Sequence, residues 1–377
     1  MSFKILPRKR KAALVLEDGS CFIGFGFGGT KKAAGEVVFS TSMVGYVESL
    51  TDPSYHGQIL TFAYPLIGNY GVPQYRKGEL SPPFESDGIK VAGLVVHDLC
   101  EHPYHWASKR TLDEWLQEEN VPGIYGVDTR MLIKKLRASG VMRGILQVFE
   151  EGEKPDVEKL LEEVKGIPDP NVRNLVGEVS IKAPVCYNPK CEKTVAVIDC
   201  GVKHSILKAF ITRKFRVIRV PYDFSAKEIM EYKPNGVVVS NGPGDPKKCV
   251  DTINCVKEII ATNLPVMGIC LGNQIIALAL GADTYKMKYG HRSQNQPVLE
   301  LGTNKCYITT QNHGYAVNAD SLNGTDLNIW FINANDATIE GLKYKQKPVF
   351  AVQFHPEASP GPYDTEFLFD EFCRLLR

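Results

Sequence analysis

The sequence predicts two domains: an N-terminal α+β domain, then an open, mainly parallel α/β sheet. Three observations lead there. At 377 residues the chain exceeds one ordinary domain. From Thr194 onward, apolar strand-like runs alternate with amphipathic helical ones, the grammar of a parallel sheet covered on both faces. Before about residue 150 the runs are shorter, mixed and broken by glycine-rich loops. The expected boundaries are 1–150 for the first domain, 151–193 for a connector and 194–377 for the second.

In the first domain, Ala12–Leu16 reads as a strand, Asp18-Gly19 as a hairpin turn and Cys21–Phe27 as the returning strand. Val37–Phe39 and Gln58–Phe62 are further strands, and Thr51-Asp-Pro-Ser is turn chemistry. Lys109–Glu119 and Thr129–Ala138 have helical periodicity, with Asp128 placed to cap the second. The connector carries one charged helix, Val157–Val164, between Pro-rich stretches. In the second domain the strands Val195–Ile198, Arg216–Val220, Gly236–Ser240 and Val266–Ile269 alternate with helices His204–Thr212, Ala226–Tyr232 and Thr252–Ala261. Shorter β-rich pieces come after Gly281, among them Cys306–Thr310. A final strand, Val349–Phe354, and a helix, Thr365–Leu376, close the chain.

Composition narrows the function. The net charge is +1, so no global field favours nucleic acid or a membrane surface. The run Arg8-Lys9-Arg10-Lys11 is expected to be solvated, with a partner contact as the second reading. No apolar run reaches the length of a membrane span. No signal-peptide core follows the basic run, so a cytoplasmic chain is expected, with an organelle matrix left open. The ten cysteines form no disulfide framework. His97, Cys100, His102 and His105 match no zinc spacing, and no metal is expected.

The chemistry concentrates in the second domain. Gly268-Ile-Cys270-Leu-Gly272 joins a buried strand to a helix, the pattern of a nucleophile elbow with cysteine at its tip. A helix N-terminus favours a thiolate; the alternative is a buried structural cysteine. The last strand runs into His355-Pro-Glu357, where the residue before proline is extended. Histidine and glutamate can then face one side as a base and its orienting carboxylate. Asn241-Gly-Pro-Gly-Asp at another strand end offers exposed backbone N–H groups, or simply a tight turn. Gln311-Asn-His-Gly-Tyr315 adds amide and backbone donors, with His313 read as structural.

In this order and on this scaffold, these motifs resemble a class I, triad-type glutamine amidotransferase domain over Thr194–Arg377. The resemblance implies a triad of Cys270, His355 and Glu357. Gly35–Tyr55, Gly57-Gln-Ile-Leu, Gly126-Val-Asp-Thr-Arg130 and Tyr289–Pro297 further resemble the small subunit of carbamoyl-phosphate synthetase. The glutaminase region of the fused eukaryotic synthetases is similar too, so a free subunit and a piece of a longer polypeptide both remain open. The resemblance implies an enzyme of the glutamine-hydrolysing carbamoyl-phosphate synthase type. L-glutamine contacts would come from Ser42, Gly242, Gly244, Leu271, Gln274, Asn312, Gly314 and Tyr315. No cofactor is implied in this chain, which has no Walker loop. ATP and Mg would belong to a large synthetase subunit or fused domain, docked on the first-domain surface, that receives the ammonia.

One position departs from the pattern: the family usually has Gly-His-Gln after the nucleophile, and this chain has Gly272-Asn273-Gln274. Because Cys270 is present an active glutaminase is expected, and the departure opens one alternative to it, a catalytically weak or silent amidotransferase-fold scaffold or regulatory subunit of an ammonia-dependent synthetase. An unrelated cysteine hydrolase is a further reading.

Overall fold

The computed structural model describes residues 10–376; Arg8 and Lys9 of the basic run lie outside them. The chain forms two compact units. One comprises the chain up to Leu50 together with Gly57–Lys77 and Gly88–Pro170, and the other comprises Thr51–His56, Gly78–Asp87 and the chain from Asn171 on. Two short segments of the sequence's first half thus belong with its second half, an exchange the turn-like sequence at Thr51-Asp-Pro-Ser does not announce.

The first unit is built on a closed barrel. Its strands are β1 (Lys11–Leu16), β2 (Cys21–Gly28), β3 (Ala33–Ser40), β4 (Gln58–Phe62), β6 (Gly93–Val95), β8 (Pro122–Tyr125) and β9 (Met142–Val148), in the order β1-β2-β8-β6-β4-β3-β9. A separate two-stranded piece pairs β5 (Leu66–Ile67) with β7 (Asp98–Leu99). Closure comes from β9, which pairs with both β1 and β3. Leu14, Leu16, Val37, Ile59, Val95, Ile124 and Leu146 fill the interior. Asp128 does cap its helix, Thr129–Ser139, accepting from the Met131 N–H at 2.8 Å. The other helix, Leu112–Glu118, starts later than its periodicity suggests because Thr111 and Glu114 form a capping box there. Helix Val157–Lys165 packs Leu160 and Val164 against Ala13, Val15, Ile145 and Phe149.

The second unit holds a ten-stranded sheet. Its strands are β10 (Val185–Tyr187), β11 (Thr194–Asp199), β12 (Arg216–Pro221), β13 (Gly236–Val239), β14 (Val266–Ile269), β15 (Thr284–Glu300), β16 (Lys305–Val317), β17 (Leu327–Asn333), β18 (Ile339–Tyr344) and β19 (Val349–Val352), in the order β10-β12-β11-β13-β14-β19-β18-β17-β15-β16. The five strands from β12 to β19 are parallel; the flanking strands pair antiparallel. Successive residues of a strand face opposite sides, and the core divides accordingly. Ala196, Ile198, Val237 and Val239 pack with the helices at Val250–Ala261 and Leu271–Ala279. Val195, Val197, Val238 and Met267 pack with those at His204–Thr212 and Phe367–Leu375. Each of the buried valine, isoleucine and methionine side chains contributes about 1.5–3 kcal/mol.

The short pieces expected after Gly281 are in fact two long strands, β15 and β16. Their pairing shifts register between Lys286 and His291 and again between Ser293 and Gln296. Each bulge resets the alternation of faces, so no continuous two-residue period survives for the sequence to display.

Candidate active site

Cys270 directly follows β14 and precedes the helix Leu271–Ala279. Its backbone is left-handed, with φ 56° and ψ −103°, a conformation that costs a non-glycine residue about 1–3 kcal/mol. The packing around it enforces the turn. The Cys270 N–H donates to the Val352 carbonyl at 2.8 Å. A Cβ on Gly268 would lie 2.6 Å from the Gly272 carbonyl oxygen, and one on Gly272 only 2.1 Å from that of Val239. Both glycines are therefore required by close backbone approach, and the cysteine is buried at the C-terminal edge of the parallel strands.

His355 lies three residues past the end of β19 and is held by its N–H to the Thr310 carbonyl at 2.9 Å. Its Nδ1 donates to Glu357 Oε1 at 2.6 Å. Its Nε2 is buried and makes no hydrogen bond among the described residues. Burial would push the imidazole down; the negative charge of Glu357, then that of Cys270, outweighs it and raises the pKa to about 10. Burial likewise disfavours the Glu357 carboxylate, but the charge of Lys203, then that of His355, holds it near 2.

Lys203 carries no sequence motif. It precedes helix His204–Thr212 and is fully buried, with Nζ donating to Glu357 Oε1 at 2.9 Å and to the Ala358 carbonyl at 2.8 Å. Against its desolvation, the charges of Glu357, Glu85 and Asp52 raise its pKa. The histidine, carboxylate and ammonium form one buried row whose ends are both cationic.

The sulfur has two further neighbours: the Asn312 carbonyl at 3.6 Å and Gln353 Nε2 at 3.7 Å. Gln353 Oε1 accepts from Asn273 Nδ2 and from Gln274 Nε2, each at 3.1 Å.

Two family models match the chain. Glutamine amidotransferase class-I covers residues 196–375. Carbamoyl-phosphate synthase small chain, CPSase domain, covers residues 14–146. The carbamoyl phosphate synthase small chain of Methanopyrus kandleri is 50% identical over 97% of this chain and 99% of its own. This chain belongs to the carbamoyl phosphate synthase small chain family. Its namesakes in Methanocaldococcus jannaschii and Listeria monocytogenes are 49% and 48% identical, each over 97% of this chain and 99% and 97% of their own.

The residues that family resemblance singled out are divided between the two units. Cys270, Leu271, Gln274, Asn312, Gly314 and Tyr315 lie in the second unit, on the elbow helix and on β16. Gly242 and Gly244 lie there too, in the loop after β13. Ser42 lies in the first unit just past β3, its hydroxyl 3.0 Å from that of Ser40. Gln274 Nε2 is engaged within the protein, donating to the Tyr315 carbonyl at 2.8 Å. Asn312 Nδ2 donates to Asp52 Oδ2 at 2.8 Å, and Asn241 Nδ2 to Ser54 Oγ at 2.9 Å. The segment Thr51–His56 thus holds two amides, Asn312 from 260 residues away in sequence and Asn241 from 187.

His313 is buried; its Nδ1 donates to the Tyr315 carbonyl at 2.9 Å, and its Nε2 lies 3.2 Å from the Gln311 side-chain amide. Burial, then the charge of His291, keeps it neutral. With His291 and Glu340 it forms the one group among the described residues whose ligand atoms lie close enough for a metal, within 4.8 Å of one another. His291 there lies between two carboxylates: Nε2 is 2.9 Å from Asp336 Oδ2 and Nδ1 3.4 Å from Glu340 Oε1. Burial would lower its pKa; the bonds to Asp336 and Glu340 raise it to about 9. Of the first-domain group, His97 Nδ1 bonds the Val127 carbonyl at 2.9 Å.

Among the described residues no helix is long and apolar enough to cross a membrane.

Proposed function

We propose that this chain hydrolyses L-glutamine through a Cys270 thioester and supplies the ammonia to a synthetase subunit or domain that makes carbamoyl phosphate from bicarbonate and ATP. One observation carries the reading: a strained, buried cysteine at a helix N-terminus beside a histidine that Glu357 keeps charged. The Cys270 thiolate attacks the side-chain amide carbon of glutamine. Backbone N–H groups of Leu271 and the Gly242 loop stabilise the oxyanion. The His355 Nε2 proton passes to the amide nitrogen, the C–N bond breaks and ammonia leaves. Neutral His355 then takes a proton from water, hydroxide attacks the thioester, the C–S bond breaks, and glutamate departs. Ser42, Gly242, Gly244, Leu271, Gln274, Asn312, Gly314 and Tyr315 are the proposed glutamine contacts. ATP and Mg are assigned to the large-subunit partner, which docks on domain 1–150; residues 151–193 connect it to the glutaminase domain, 194–377.

The test is glutamate release from glutamine, with and without a large subunit, for the native chain and Cys270→Ala. Slow release that rises with the partner and vanishes in the variant is expected, with ammonia-dependent carbamoyl phosphate synthesis spared. No release from folded native protein in either condition would replace this reading with that of a silent scaffold.

A further inference from the structure

We infer that Gln353 is a catalytic residue of this site: its side-chain N–H donates to the Cys270 sulfur while that sulfur is anionic, and Asn273 and Gln274 hold it in that orientation. The inference rests on the glutaminase reading above and adds a group to it.

The orientation is set by a chain of donors anchored at a backbone carbonyl. The Tyr315 carbonyl can only accept, so the Gln274 group 2.8 Å from it is the amide nitrogen. That nitrogen also lies 3.1 Å from Gln353, so the Gln353 atom facing it is the oxygen. The nitrogen of Gln353 is then the atom 3.7 Å from Cys270 Sγ. Asn273 Nδ2 donates to the same Gln353 oxygen at 3.1 Å. All three amides are buried, so an inverted Gln353 would lose two buried hydrogen bonds and would turn an oxygen toward an anionic sulfur.

The arrangement distinguishes the two forms of the sulfur. As a thiol it donates to the Asn312 carbonyl at 3.6 Å. As a thiolate it has no proton for that carbonyl and accepts from Gln353. The same donor serves when the thioester collapses and sulfur regains its charge. Asn273, the departure from the usual histidine, thereby has a function: a short neutral donor that fixes Gln353. Its own Oδ1 has no partner among the described residues, so its hydrogen-bonding contribution to this network is the Nδ2 donation.

Two isosteric variants separate this from general packing. Gln353→Met keeps the volume and removes the donor; Gln353→Glu keeps the shape and points a carboxylate at the sulfur. Each is compared with native protein in complex with the large subunit. The readouts are the rate of Cys270 carbamidomethylation by iodoacetamide, followed on the Cys270 peptide, and kcat and KM for glutamate release. A hydrogen bond to a charged group corresponds to about a 10- to 100-fold change. We expect Gln353→Met to lower kcat and the alkylation rate by about 10- to 100-fold with KM within about twofold, and Gln353→Glu to lower both further. Asn273→Ala is expected to lower both in the same direction by less, because Gln274 still orients the amide. A folded Gln353→Met protein with native kcat and alkylation rate would overturn the proposal. So would a raised KM at unchanged kcat, which would place Gln353 on the substrate instead. Glutamate release by the native complex separately decides the glutaminase reading, since alkylation requires no glutamine.

Discussion

The second unit contains two buried histidine–carboxylate clusters built from the same residue types and put to opposite ends. Around His355, one glutamate lies between an imidazole and an ammonium, and Glu357 is driven down to about 2. Around His291, one imidazole lies between Asp336 and Glu340, and the fully buried Glu340 is pushed up by burial. In the first the shared centre is an anion, and the histidine's outer nitrogen is turned to Cys270, the proposed nucleophile. In the second the shared centre is the cation, and both ring nitrogens are already engaged. On the proposed function, a buried histidine–glutamate pair is not itself a catalytic signature. What separates the two is the cation behind the carboxylate and a ring nitrogen left free.

The sharpest way to break that comparison is to remove the anion from each cluster in turn. Glu357→Gln keeps the shape but no longer balances an imidazolium, and the corresponding change in a triad costs about 10⁴-fold in kcat. We expect a loss of about 10³- to 10⁴-fold in glutamate release, with KM little changed. Glu340→Gln is expected to leave kcat within about threefold. Equal losses from the two substitutions would mean that both clusters serve the chemistry.

A smaller effect should come from removing the cation behind Glu357. Lys203→Met leaves a buried carboxylate paired with His355 but without its ammonium, and breaking a buried pair costs about 3–5 kcal/mol of stability. The pH dependence has a definite sign. A carboxyl held near 2 stabilises the fold above its ordinary value of 4.5, and that stability is lost as pH falls from 4.5 through about 2. Without Lys203 the Glu357 pKa rises, so Lys203→Met should unfold at a higher pH during acid titration followed by circular dichroism. An unchanged acid midpoint would remove Lys203 from the account of why Glu357 is charged.

These variants also mark what was legible in the sequence. Cys270, His355 and Glu357 sit in short local patterns, each at a predicted strand end, because strain and close packing at those turns demand particular neighbours. Most strands and helices were legible for the same local reason, an unbroken period of two or of three to four. Lys203 was not legible: it precedes a helix whose N-terminus it does not cap, and only the return of the chain at Glu357 gives it meaning. Asp52 looked like turn chemistry and does cap the turn at Pro53–Tyr55, but its second oxygen serves Asn312. The barrel's closure depends on β9 pairing with β1 across most of the first unit, which no local window contains. Gln353 left a faint signal. It is the one polar residue in the run Val349–Phe354, on the same alternation as His355 and Glu357.

The smallest predicted effect is on the His291 side of the comparison. His291 is raised to about 9 by Asp336 and Glu340 against its own burial. A histidine raised in the folded state contributes stability that is full below its ordinary value of 6.5 and is lost as pH rises through about 9. The shift corresponds to on the order of 3 kcal/mol at most, and less once the raised Glu340 shares the proton. His355 titrates in an overlapping range, so the absolute stability curve does not isolate His291; the difference between native protein and His291→Asn does. Chemical denaturation at about pH 6 and about pH 9.5 should show the variant less stable than native at the lower pH by about 1–3 kcal/mol, with the gap narrowing at the higher. Glutamate release at about pH 7.5 should stay within about threefold of native. A gap that widens with pH would mean that His291 is neutral when folded, and the contrast with His355 would then rest on geometry alone.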